Sequence, residues 1–259
     1  MRRWLFFTYG VTCHLLFLVT FAALAGFVGG FGLPKTVDTP ASGTLATAVT
    51  VNLALLAIFA AQHSIMARPA FKRVWTRWVP QPIERSTYVL ASCLVTGLLI
   101  WQWRGIDAIV WEVQQPVGRA AIWALFVAGW LLVPLVSLLI HHFDLFGTRQ
   151  VWLHLKGEEY SSLPFRTPLF YRFVRHPLYI AWAMAFWAIP TMTASHLLFA
   201  ATMTVYMGLA AIVEERDLIN HFGRVYTEYR QQVGMFVPRF PRSTKPEEIR
   251  EVDESVLSA

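Results

Sequence analysis

The sequence predicts an all-α membrane protein, a polytopic helical bundle with six crossings. Three observations carry that prediction. The chain of 259 residues is 56% hydrophobic, with 11 Trp and 19 Phe, and only 15% of it is charged, far too apolar for an ordinary soluble domain. Several runs reach about 20 residues without a charge, the length that crosses a bilayer. The bases fall in short segments between those runs, so the net charge of +6 speaks for membrane orientation and against nucleic acid.

Span 1 is expected at about 4–28. Arg2 and Arg3 ahead of it, and Ala23-Leu24-Ala25 within it, resemble a signal peptide. The apolar stretch is too long for one and no soluble domain follows, so it reads as a span. A Gly/Pro loop precedes span 2 at about 45–66. Between Ala67 and Arg85, five bases alternate with Phe71, Trp75 and Trp78, the composition of a segment lying in the headgroup layer against anionic lipid. Span 3 is expected at about 87–103, with Trp101 and Trp103 as an aromatic belt, and span 4 at about 119–140, kinked at Pro134. A polar segment, His141–His176, follows.

The apolar run 178–213 is 36 residues long, too long for one span. Pro190 and the polar residues up to His196 break it into a hairpin, with spans at about 178–190 and 195–213; read instead as one tilted helix it gives five crossings. Residues 1–240 are thus expected to form a single transmembrane domain, and 241–259 a polar, disordered tail. With six crossings, 19 of the 22 Lys and Arg fall on one side, and only Lys35, Arg104 and Arg119 on the other. The positive-inside rule makes the first side cytoplasmic, as in a bacterial-type inner membrane. Cys13 and Cys93 lie within apolar runs and read as small buried hydrophobes rather than a disulfide or metal pair.

Two charged mouths flank the last hairpin: Arg175-His176-Pro177-Leu178-Tyr179 before it and Glu214-Glu215-Arg216-Asp217 after it, with Tyr226 and Tyr229 beyond. Each alone is an ordinary helix edge, a snorkelling Arg with Pro in a first turn, or a solvated helix end. No Gly-x-Gly-x-x-Gly follows a strand, which excludes a Rossmann cofactor domain. The pair of mouths resembles the C-terminal core of the isoprenylcysteine carboxyl methyltransferase and phospholipid methyltransferase superfamily. The resemblance implies an S-adenosylmethionine site formed by Arg175, His176, Pro177, Tyr179, Glu214 and Glu215, with Tyr226 and Tyr229 beside it. These types suit the ligand: a cation for its carboxylate, acceptors for its ribose, aromatic faces for its sulfonium. Ala181 stands where superfamily members often carry Gly.

A closer resemblance, to the thiol S-methyltransferase branch of that superfamily, covers nearly the whole chain. It includes Gln62–Pro69, Glu84–Leu90, Trp101–Arg104, His142–Gly147 and Pro164–Pro168. It implies methyl transfer to methanethiol, and to hydrogen sulfide, with dimethyl sulfide as the product. A free alkyl thiol is mostly protonated at neutral pH, like Cys near 8.5, so a base or a cation must help. His142 held by Asp144, Arg149, and the intramembrane His63 are the candidates. The adjacent His141 and His142 do not make a metal pair, since neighbours on a helix face apart, and no metal is expected. Rival readings are isoprenylcysteine carboxyl or phospholipid amine methylation, a nicotinamide-dependent enzyme like the sterol reductases, and a transporter; the last should show paired broken helices, and no such repeat is present.

Overall fold

A computed structural model describes residues 1–239; the tail expected at 241–259 lies outside the described residues. The order is α1 (Arg2–Gly29), α2 (Leu45–Ala67), α3 (Pro69–Trp75), α4 (Gln81–Gln102), β1 (Ile109–Glu112), α5 (Pro116–Leu139), α6 (His142–Leu145), α7 (Thr148–Lys156), a 3-10 turn (Leu169–Arg172), α8 (Pro177–Trp187), β2 (Thr191–Thr193), α9 (Ala194–Phe222) and α10 (Arg224–Gln232). Five of these, α1, α2, α4, α5 and α9, are long and apolar enough to cross a membrane, and α8 is a shorter apolar helix. The chain is an integral membrane protein.

The loops show how often it crosses. Those after α1, α4 and α8 meet at one end of the bundle. There β1 pairs antiparallel with β2, Ala41 bridges Gly105, and Val113 N donates to Pro190 O at 2.8 Å. Thr193 donates to Asp38, and the Asn52 side chain bonds both backbone groups of Arg104. At the opposite end Arg68 meets Asp217 and Arg175 meets Glu215. Successive helices therefore alternate in direction through six passes, and α8 and α9 form the expected hairpin. The 11 residues of α8 rise only about 16 Å at 1.5 Å each. Residues 188–190 and the strand β2 continue the chain to the end where β1 lies.

Helix bounds differ from expectation at three places. α4 begins at Gln81 rather than 87, because Pro80 caps it and Pro82 occupies its first turn, where the missing N–H costs nothing. α8 stops at Trp187, short of 190. α9 runs nine residues past Val213, to Phe222. Glu214-Glu215-Arg216-Asp217 is thus a helical turn rather than an exit, and Gly223, at φ 56, ends the helix where most side chains would be strained. Trp103 is not an interfacial belt residue. It is fully covered, and its indole N–H reaches Val37 O and Ser195 Oγ; Trp101 stays exposed. Trp103 follows the last turn of α4, where the chain turns inward, and an indole buried with a partner for its N–H is stable there.

Phe27, Trp103, Phe126, Trp130, Phe186 and Phe199 form the aromatic core. Lipid is as apolar as these rings, so close packing rather than water exclusion holds the helices together. α5 and α8 approach closely: a Cβ on Gly129 would lie 2.6 Å from Ala185 N. Cys13 and Cys93 are buried and free.

Candidate active site

Pro177 opens α8, and this fixes where the residues just before it point. Arg175 and His176 are held by their backbones, Arg175 N donating to Gly234 O at 2.8 Å and His176 N to Met235 O at 3.2 Å. Both side chains turn onto Glu215. Arg175 Nε donates to Glu215 Oε1 at 2.6 Å and His176 Nε2 lies 3.2 Å from the same oxygen. Arg230 Nε is 3.4 Å from Oε2. Arg175 also donates to Arg230 O and Val233 O. Glu215 is buried and fully engaged, and Arg175 is spent holding α8, α9 and α10 together.

Glu214, one residue earlier, is different. Its side chain is 45% exposed and accepts from the Tyr179 hydroxyl at 2.8 Å. Tyr179 lies parallel to His176, with ring centroids 5.3 Å apart and planes 3° apart. The Glu214 carboxylate is therefore the open part of this cluster.

From Glu214 a row of polar groups runs into the bundle. Two turns back along α9, about 12 Å, Tyr206 pairs with Ser64 of α2 at 3.0 Å. Phe59 packs edge-on to Tyr206 and stacks on His63. Tyr88 of α4 places its hydroxyl 2.9 Å from His63 Nε2 and 3.0 Å from Nδ1. His63, Tyr88, Tyr206 and Tyr179 are each half-buried; His63 bonds Tyr88 across α2 and α4, Tyr206 bonds Ser64 across α9 and α2, and Tyr179 bonds Glu214 across α8 and α9.

No family model matches the chain, and no solved structure matches it. Curated relatives do. A methanethiol S-methyltransferase of Mycobacterium tuberculosis (strain ATCC 25618 / H37Rv) is 50% identical over 238 residues, 92% of this chain and 98% of its own. Another, from Crocosphaera subtropica (strain ATCC 51142 / BH68), is 47% identical over 230 residues, 89% of this chain and 90% of its own. The chain belongs to the methanethiol S-methyltransferase family. A more distant relative, Nurim of Rattus norvegicus, is 32% identical over 180 residues, 64% of this chain and 66% of its own.

The remaining residues expected at the site of this family member fall in three places. Tyr226 and Tyr229 form a wall with Phe165. Tyr229 donates to Tyr171 O at 2.6 Å, and Tyr226 is buried, its phenol pushed up to about 12 by burial and then by Glu215. Asp144 does not hold His142. It accepts from Arg149 at 3.1 Å, from Gln150 and from Tyr160, while Arg149 also clasps Ser161. The separation follows from α6: two residues apart on a helix face different ways.

His142 is buried elsewhere. His141 takes a left-handed conformation, φ 74, which swings α6 inward. His142 Nδ1 meets Ser137 Oγ at 2.8 Å and its Nε2 meets His14 Nε2 at 3.1 Å; His14 Nδ1 in turn meets Thr148. Burial, then the neighbouring His14 ring, holds His142 below the ordinary histidine range. Both ring nitrogens are occupied within the protein. Ala181 faces α5 and lines an apolar cavity of about 330 Å³ with Val136, Val174 and Pro177. Among the described residues no three His, Cys, Asp or Glu gather as a metal site.

Sequence reasoning missed Ser64, Tyr88, Ser92 and Tyr206 as site residues. The available signal was the one that singled out His63: a polar group inside an apolar span requires a partner.

Proposed function

We propose that the chain is an S-adenosylmethionine-dependent S-methyltransferase that converts methanethiol, and also hydrogen sulfide through methanethiol, to dimethyl sulfide. The observation that carries this reading is the open Glu214 carboxylate beside the parallel His176 and Tyr179 rings, braced from behind by the buried Arg175–Glu215 pair. The donor fits this set. Glu214 offers an acceptor for ribose hydroxyls or the ammonium group, and the aromatic rings suit a sulfonium or an adenine. Pro177 sets the start of α8, and Tyr226 and Tyr229 support the wall behind. When bound, the donor supplies an electrophilic methyl group on a cationic sulfur.

The chain's own task is to bind both partners away from water and to take the thiol proton. Positive sulfonium and negative thiolate neutralise each other as the methyl moves, so a dry site favours the step. Of the candidate bases, His63 belongs to the row of polar groups that runs from Glu214 through Tyr206 and Ser64 to Tyr88. His142 is tied into the His14–Ser137 cluster, and Asp144 and Arg149 are engaged with each other and with Tyr160 and Ser161. The distribution of bases among the described residues, 16 of 19 on the Glu214 side of the bundle, supports a cytoplasm-facing site in a bacterial-type inner membrane.

The test is to incubate the purified protein with labelled S-adenosylmethionine and a panel of thiols that includes hydrogen sulfide. Labelled dimethyl sulfide is expected. A protein that binds the donor and labels only a lipid amine or a prenylcysteine carboxylate would overturn the assignment.

A further inference from the structure

A histidine between a phenylalanine and a tyrosine in the middle of a membrane bundle is costly to keep and demands a use. His63 stacks on Phe59, with centroids 5.3 Å apart, and meets the Tyr88 hydroxyl along the edge that carries both ring nitrogens. Ser92, one turn beyond Tyr88 on α4, donates to Tyr88 O at 3.1 Å, and its oxygen lies 3.4 Å from His63 Nδ1. The hydroxyl proton of Ser92 is thereby committed. Its oxygen is left to accept from Nδ1–H, which makes Nε2 the nitrogen with the free lone pair, facing Tyr88.

From this geometry we infer that Tyr88 and His63 form the thiol-binding and proton-accepting position of the reaction, with Ser92 as a positioning residue that fixes the imidazole tautomer. The proposal rests on the methyltransferase reading above and deepens it. The small apolar thiol is placed against the Tyr88 hydroxyl, beside the Phe59 and Tyr206 rings. Its S–H proton passes to the Tyr88 oxygen as the Tyr88 O–H proton passes to His63 Nε2, so the tyrosine ends as it began. The sulfur lone pair forms the new C–S bond while the donor's methyl C–S⁺ bond breaks, and its electrons remain on the donor sulfur. Two neutral thioethers result. The positive charge that began on the sulfonium ends on His63 as imidazolium.

Arg85 connects this position to water. Its guanidinium lies 5.5 Å over the Tyr88 ring, and it also lines a polar cavity of about 630 Å³ whose walls include Arg3, Lys72, Glu84 and Tyr160. The cavity is at the end of the bundle where α1 begins, and gives the His63 proton a way out after each turnover. The charged group against the pair is Arg85, a cation over the Tyr88 ring that favours a developing thiolate; Arg68, toward α9, has its charge paired with Asp217.

The test compares two acceptors. Methanethiol needs a base near neutral pH, whereas methaneselenol is already ionised there. With His63→Gln, methanethiol methylation should fall about 10²–10⁴-fold at neutral pH, the usual worth of a general base, and recover as the pH approaches that of the free thiol. Methaneselenol methylation should stay within a few-fold of wild type, as should S-adenosylmethionine affinity by calorimetry. Tyr88→Phe should follow the same pattern at smaller amplitude. Equal losses with both acceptors, or an undiminished rate with methanethiol, would overturn the proposal. A wild-type chain that binds no S-adenosylmethionine would instead sink the methyltransferase reading beneath it.

Discussion

Arg175 and Glu215, 40 positions apart in the chain, meet at 2.6 Å with both side chains buried. The pair joins the second residue before α8 to the last buried residue of α9, so adjacent glutamates do different work. Glu215 ties helix ends together and Glu214 is left open beside Tyr179.

Substituting the two should therefore give opposite results. Glu215→Ala strands the Arg175 charge and should destabilise the protein by about 3–5 kcal/mol, read by unfolding in detergent. Glu214→Ala should leave stability nearly unchanged and weaken S-adenosylmethionine binding about ten- to a hundredfold, the loss of one charge-assisted hydrogen bond of about 1.5–3 kcal/mol. Equal effects on stability from both would contradict the division.

His142→Ala should behave as a structural lesion. It removes the partner of His14 and Ser137 at once, costing about 1–3 kcal/mol, and raising the pH should not restore its activity selectively. The sign of the acid response follows from its burial. A histidine held below its ordinary range when folded favours the folded state while neutral; that contribution is present above about pH 6.5 and is lost as the unfolded chain takes up the proton below it. Wild type should lose stability between pH 8 and pH 5, and His142→Ala should lose less across the same interval, as read by chemical unfolding at the two values.

Single cysteines at Lys35, Trp111 and Glu228 should sort by side. The first two belong to the end where the loops after α1 and α4 meet, and Glu228 lies on α10 at the opposite end. An impermeant thiol reagent added to whole cells should reach the first two and miss the third. Labelling of all three from outside would refute the six-pass path.

The Arg149 clasp gives a fourth prediction. Arg149 bonds Asp144 and both the carbonyl and hydroxyl of Ser161, tying the long segment after α7 to α6. Arg149→Ala should expose that segment to limited proteolysis with only about 0.5–1.5 kcal/mol lost overall, while thiol methylation at saturating substrate stays near wild type. A large fall in methylation with the segment still protected would return Arg149 to the chemistry.

The spans were legible because each is a long run without charge, and that pattern has one physical solution in lipid. Glu214, Glu215, Arg175, His176 and Tyr179 were legible as a set from their positions at the two ends of one hairpin. Which glutamate is covered was not, since that depends on the helical phase of α9, and α9 continues past Val213 where the composition changes. The partnership of His142 with His14 was equally hidden. It depends on the left-handed turn at His141, which carries no sequence signal beyond the tolerance of histidine for that conformation. Trp103 and Trp101 are two residues apart and of one type, yet one is core and the other lipid-facing; only the path of the chain after α4 distinguishes them.

The two ends of the bundle are fastened unequally. At the end holding β1 and β2, backbone pairing and the Asp38–Thr193, Asn52–Arg104 and Trp103–Ser195 bonds stitch the first and last helices together. At the other, α2 and α9 are joined by the side-chain contacts Arg68–Asp217 and Ser64–Tyr206. The lock that resists torsion of the bundle is thus mainly main-chain at one face of the membrane, while between α2 and α9 at the opposite face it is written in side chains, which substitution can loosen one contact at a time.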